Sequence, residues 1–227
     1  HTVRLARATI DMGLVGDLSS ARLRDELVDL LEQGAPEHAI LRLAELGADR
    51  AIHPHLAADE EAARLVERMR ELRDEYRLEA PNWRLGLIAL ARRLPPEEAY
   101  DWLERLRVRR RDAELVAGAI TVGRRLVERF AEGSVEPADV VAAAEPFAPD
   151  GPLYALALAD VPALRDYFSR LRSVRLEVTG SDLAELGIGE SPRVGEILGE
   201  LRRRKLNGAL GGRDDELAAA RELIAQG

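Results

Sequence analysis

The chain has 227 residues, 46% of them hydrophobic and 33% charged, with a net charge of −8. That is enough length to bury a core in one large domain or two small ones, and the balance is that of a folded chain. Cysteine is absent, which excludes disulfides, thiolate zinc sites and cysteine nucleophiles. No N-terminal stretch has the form of a signal peptide, and the apolar run 153–159 is far too short to span a bilayer. A cytoplasmic protein without membrane contact is therefore expected. The acidic balance counts against a dedicated nucleic-acid binder, unless basic residues gather on one local face.

Ala, Leu, Arg and Glu dominate, and these strong helix formers predict an all-α fold, an irregular multi-helix array. Leu23, Leu27, Leu30 and Leu31 share one helix face behind a Ser19 or Ser20 cap. Gly34-Ala35-Pro36 breaks that helix and opens the next, whose stripe is Ile40, Leu43 and Leu46, and Gly47 ends it. A third helix is expected from Asp59 to Tyr76, with acids in its first turn. Two shorter ones follow, over 83–94 and 96–106. The longest is predicted over Asp112 to Glu132, where Gly118 and Gly123 imply a kink or a close helix contact. Glu145 to Pro152 holds three prolines and a glycine and is the expected linker, dividing the chain into 1–146 and 153–227. Helices are expected again from Leu153, over 162–174, briefly from Asp182, over Pro192–Lys205 and from Arg213.

The stretch from Val174 to Leu217 carries the most chemistry. Thr179-Gly180 turns the chain, with Ser181 or Asp182 as cap, and Gly187-Ile188-Gly189 permits a tight reversal. Ser191 and Pro192 suit a helix start, and Gly195 leaves its first turn open to close approach. Free N–H groups there, beside Arg193, make an anion site suited to an RNA phosphate. The competing reading is a small helical hairpin that binds nothing, because capped helices outnumber phosphate sites.

This stretch resembles the tail of bacterial tRNA nucleotidyltransferases and poly(A) polymerases. The resemblance rests on Thr179-Gly180, Asp182-Leu183, Leu186-Gly187, Pro192, Gly195, Ile197-Leu198, Lys205-Leu206, Gly208 and Asp215-Glu216-Leu217. One departure is Glu190-Ser191-Pro192, where the family has Pro-Gly-Pro. Residues 18–27 are similar to the family's neck helix, 43–47 with Ile52-His53-Pro54 to its next helical pair, and 109–115 to its body. The wording is most similar to the branch whose full-length members also carry CBS and DHH-type domains. The resemblance implies neck, body and tail helices that hold the tRNA elbow and acceptor stem. The parent protein would add AMP or CMP to the 3′ end of tRNA, or make poly(A).

The family's catalytic head holds its metals on an Asp-x-Asp pair, and no Asp-x-Asp exists in this chain. Gly211-Gly212-Arg213-Asp214 looks like the head's Gly-Gly-x-x-Arg-Asp turn but opens a helix. The chain is therefore expected to be a fragment without the head and inactive alone. It would carry no cofactor, and Mg²⁺ would belong to the head. The expected partners are tRNA or another RNA 3′ end and the missing head, with an oligomer open.

Two basic runs stand out: Arg107, Arg109, Arg110 and Arg111, with Arg124 and Arg125 on the following helix; and Arg202, Arg203, Arg204 and Lys205. As bare charge runs both read as solvated faces, the second favoured by a helix C-terminus. The resemblance raises both to RNA contacts, for which the planar donor fork of arginine is suited. The RNA-binding residues expected are thus Arg109, Arg110, Arg111, Gly189, Arg193, Gly195, Arg202, Arg203 and Lys205. Trp83 and Trp102 fall at helical spacing and are expected in the core rather than stacked on bases. His53-Pro54-His55 suggests a metal, but no carboxylate lies at ligand spacing in the sequence, so a structural role is expected. The rival reading of the whole chain is a helical module that docks other proteins and touches no RNA.

Overall fold

The computed structural model describes residues 19–131, 135–189 and 191–225. Leu18, Glu132 and Glu190, each part of an expectation above, lie outside the described residues. Among the described residues there are thirteen α-helices, two 3-10 turns and no strand, as the composition predicts. No helix among them is long and apolar enough to cross a membrane.

The chain forms two compact units, His1–Glu132 with Pro146–Val161, and Gly133–Glu145 with Pro162–Gly227. The chain thus passes between them more than once, where a single boundary at 147–152 was expected. The proline-rich stretch is no free linker. Its prolines occupy a 3-10 turn and the start of a helix, positions that need no N–H donor.

The first unit contains α1 (Ser20–Glu32), α2 (Pro36–Leu46), α3 (Ala48–Ile52), α4 (Glu60–Glu75), α5 (Asn82–Ala91), α6 (Pro96–Arg105), α7 (Arg110–Phe130) and α9 (Asp150–Leu158). Ser19 caps α1 by accepting from the Arg22 N–H, and Leu27 and Leu31 are its buried face. Gly47 ends α2 at φ 67°, and the five-residue α3, absent from the sequence reading, follows at once. Asp59 caps α4 by accepting from the Ala62 N–H at 2.9 Å and also pairs with the buried Arg92. Six residues of α4, ending with Met69 and Leu72, face the core.

Helices α7 and α9 pack closely, and Gly118 and Gly123 explain how. A Cβ at Gly118 would lie 2.6 Å from the Phe147 ring, and one at Gly123 would collide with Tyr154, which is fully buried. The two glycines therefore mark a close contact. Asp150, at the start of α9, is also fully buried and lies 2.7 Å from Arg84.

The second unit contains α8 (Pro137–Ala144), α10 (Pro162–Ser169), α11 (Gly180–Glu185), α12 (Pro192–Leu206) and α13 (Arg213–Ala225). Its tail core is Val178, Leu183, Ile197, Leu201, Ala219 and Ala220. The α11 cap is Thr179 rather than Ser181 or Asp182. Asp182 sits three residues on and accepts from the Thr179 N–H and hydroxyl, both at 2.7 Å. Gly187 and Gly208 take φ of 93° and 78°, where a side chain would be strained.

Candidate nucleic-acid interface

In the first unit the chain leaves α6 through Arg107, whose φ is 57°, and enters α7 at Arg109. The Arg107 carbonyl accepts from Arg24 Nη1 on α1 at 2.8 Å. At the start of α5, the Trp83 N–H donates to the Glu32 carboxylate at 3.0 Å, and the Asn82 side chain donates to the Glu32 and Gln33 carbonyls. These bonds hold the ends of α1, α5 and α6 around a groove of about 420 Å³, lined by Arg24, Asp25, Trp83, Arg107, Arg109 and Asp112. Asp25 is engaged by Arg24, and Asp112 faces Arg84 at 3.4 Å. Arg107, Arg109 and Arg111 are exposed and form no ion pair with an acid among the described residues, whereas Arg110 pairs with Glu114 at 2.9 Å.

The electrostatics of this corner oppose the fold. Arg109, Arg110 and Arg111 occupy the N-cap and first two positions of a 21-residue helix, with Asp112 the one acid in its first turn. A helix N-terminus carries partial positive charge, so cations there cost stability and anions restore it.

Trp102 is in the core at 3% exposure, as expected. Trp83 is not: it is half-buried on the groove wall, because the first turn of α5 opens toward α1. Sequence reasoning missed Arg24, Arg107 and Trp83 as one cluster. The available signal was the arginine of the neck-like segment and a tryptophan two residues after Pro81.

The second basic run is arranged differently. Arg202 holds both oxygens of Glu145 at 2.8 and 2.7 Å, and Arg203 meets Glu136 at 3.0 Å. Lys205 is bound to the fully buried Glu216, whose carboxylate also accepts from the N–H groups of Glu177 and Val178 at 2.8 Å. Burial would push the Glu216 carboxyl up, but Lys205 and the two N–H groups outweigh it and hold it below its usual range. Arg193 donates to the Ile224 carbonyl at 3.0 Å and so closes the C-terminal end of α13 rather than flanking the start of α12. Gly189 and Gly195 are exposed, and a Cβ at either would meet nothing within 4 Å. Arg202, Arg203, Lys205 and Arg193 thus each stabilise the fold through a partner within the unit.

The motif residues of the tail do the same. Arg213 pairs with Asp182 and holds that carboxyl far below its usual range, helped by Thr179. Leu183 is fully buried, and Arg213-Asp214 opens α13 with no strand beside it among the described residues.

The fold is that of the helical part of CCA-adding enzymes. One solved structure of a CCA-adding enzyme with CTP matches 99% of this chain and 55% of that chain, at TM-score 0.79 and 20% identity. The Thermotoga maritima CCA-adding enzyme complexed with tRNA matches 99% of this chain and 56% of that chain, at TM-score 0.77 and 20% identity. Residues 11–60 match a family profile described as the probable RNA and SrmB-binding site of polymerase A. The A-adding tRNA nucleotidyltransferase of Geobacter sulfurreducens is 29% identical over 237 aligned positions, which take in 98% of this chain and 27% of that protein. The chain is similar to the tRNA nucleotidyltransferase / poly(A) polymerase family, and it spans about a quarter of that curated relative.

Proposed function

We propose that this chain is the RNA-holding helical portion of a cytoplasmic, template-independent nucleotidyltransferase that adds AMP or CMP to the 3′ end of tRNA. The observation that carries the reading is the corner at the start of α7. Three exposed arginines without an acid partner among the described residues stand against a helix dipole, beside a half-exposed tryptophan. Such an arrangement lowers fold stability unless an anion is bound, and a phosphate backbone supplies one repeatedly. Arg107, Arg109 and Arg111 are the phosphate contacts, and Trp83 offers an unpaired base a stacking face. Gly189 and Gly195 leave a second surface open to RNA in the tail.

The chain carries no paired Asp-x-Asp, so the family's catalytic metals have no ligands here, and nucleotidyl transfer requires a head that this sequence does not contain. Binding would proceed by shape and phosphate contact along the duplex arm of tRNA. The test is fluorescence anisotropy of a labelled tRNA at several salt concentrations, against a single-stranded control. Binding that prefers folded tRNA and weakens steeply with salt supports the reading. A second reading, a module that docks proteins, is favoured by the −8 net charge and by the internal pairing of Arg202, Arg203 and Lys205. Absence of tRNA binding at low salt would favour it.

A further inference from the structure

His53 and His55 follow α3, and Glu98 lies in the first turn of α6, 43 residues beyond His55. The fold brings the three together. His55 Nδ1 lies 2.8 Å from Glu98 Oε1, and His53 Nε2 lies 3.5 Å from the same oxygen. One ligand atom from each residue falls within 4.8 Å of the others. The two distances to Glu98 bracket the separation of donors around one small cation, since bond lengths of about 2.0–2.2 Å place tetrahedral donors a little over 3 Å apart, and the two imidazoles lie close enough to close onto the same ion. His53 is nearly buried, Glu98 is about a quarter exposed and His55 is open to solvent, so the cluster has a fixed floor and an entry path.

We infer that His53, His55 and Glu98 form a site for a divalent transition metal, with Zn²⁺ the best-fitting ion. Two imidazoles and one carboxylate are a borderline donor set, suited to Zn²⁺ rather than to Mg²⁺ or Ca²⁺, which select oxygen. Three protein ligands leave the fourth tetrahedral position to water on the solvent side of His55. Ligation at His53 Nε2 puts that ring's proton on Nδ1. The contact in which Nδ1 accepts from the His55 N–H, long at 3.3 Å, then opens. That rearrangement is small because Pro54 restrains the backbone between the two histidines. Bound metal would tie the segment after α3 to the start of α6.

The experiment is metal binding by the full chain with His1→Ala, because an N-terminal histidine chelates metals by itself. Zn²⁺ binding is measured by isothermal titration, and Co²⁺ by the visible absorption of a four-coordinate ion. One ion per chain is expected, with affinity lowered at least tenfold by His55→Ala and by Glu98→Gln, a loss that even outer partners of metal ligands cause at about this scale. His38→Ala, an exposed histidine elsewhere, should bind as the parent does. Since His55 and Glu98 are both partly exposed, their variants should keep the parent's circular dichroism. No binding, or binding unchanged by both His55→Ala and Glu98→Gln, overturns the site. Retained tRNA binding in those variants would leave the RNA reading untouched.

Discussion

Replacing Arg109 with serine separates stability from binding at the start of α7. Arg109 holds the N-cap position with extended backbone and makes no capping hydrogen bond. Serine there can accept from an N–H of the first turn, a gain of about 1 kcal/mol. Removing a cation from the positive end of the helix adds about 0.3–1 kcal/mol. Since Arg109 is exposed and pairs with no acid among the described residues, nothing is lost in exchange. The variant should therefore be more stable by about 1.5 kcal/mol, a rise in Tm of about 3–6 °C for a domain of this size. Affinity for tRNA should fall at the same time, and the slope of log K against log salt should shrink by about one. Thermal denaturation and salt-dependent anisotropy read the two effects separately. A stabilised variant with unchanged affinity and slope would remove phosphate from the explanation of this corner. A destabilised one would mean that Arg109 holds the fold.

The two tryptophans should part company on truncation. Trp83→Ala should weaken binding to an RNA with unpaired bases by about 1–3 kcal/mol in anisotropy, with little change in Tm. Trp102→Ala should cost about 3–5 kcal/mol of stability by chemical denaturation. In the second unit, Glu216→Gln should cost about 2 kcal/mol, because it removes a charged acceptor from two N–H groups and Lys205. Because the folded Glu216 carboxyl titrates below its unfolded value, its stabilisation is complete above about pH 4.3 and is lost as pH falls further. The Gln variant should flatten that acid slope in a pH series of denaturation midpoints. Gly123→Ala should destabilise the first unit by about 1–2 kcal/mol, since crowding of Tyr154 exceeds the gain in helix propensity of about 1 kcal/mol. A gain in Tm would show that Tyr154 can move aside.

Much of the architecture was legible in the chain because helices are written locally. The third helix, expected over 59–76, is Glu60–Glu75 with Asp59 and Tyr76 as its caps, since acids, an apolar stripe and a capping aspartate all lie within one segment. The tail motif was legible for the same reason, but its meaning was not. Thr179, Asp182, Leu183, Gly187, Gly208 and Glu216, which carry the family resemblance, build caps, turns and a buried carboxylate site. They hold the tail together before they could hold anything else.

The sequence by itself determined that the protein is helical, where most helices begin and end, and which family it resembles. All of these follow from neighbours a few residues apart. Only the tertiary structure decided which charges are free. Arg202, Arg203 and Lys205 read as the same kind of basic run as Arg107, Arg109 and Arg111. Yet the former meet acids 57, 67 and 11 residues away, and the latter meet none among the described residues. The same holds for Glu98, which no spacing rule assigns to His53 and His55. Charge pairing and ligand geometry depend on distance in space, and the packing of helices sets that distance without leaving a local trace in the chain.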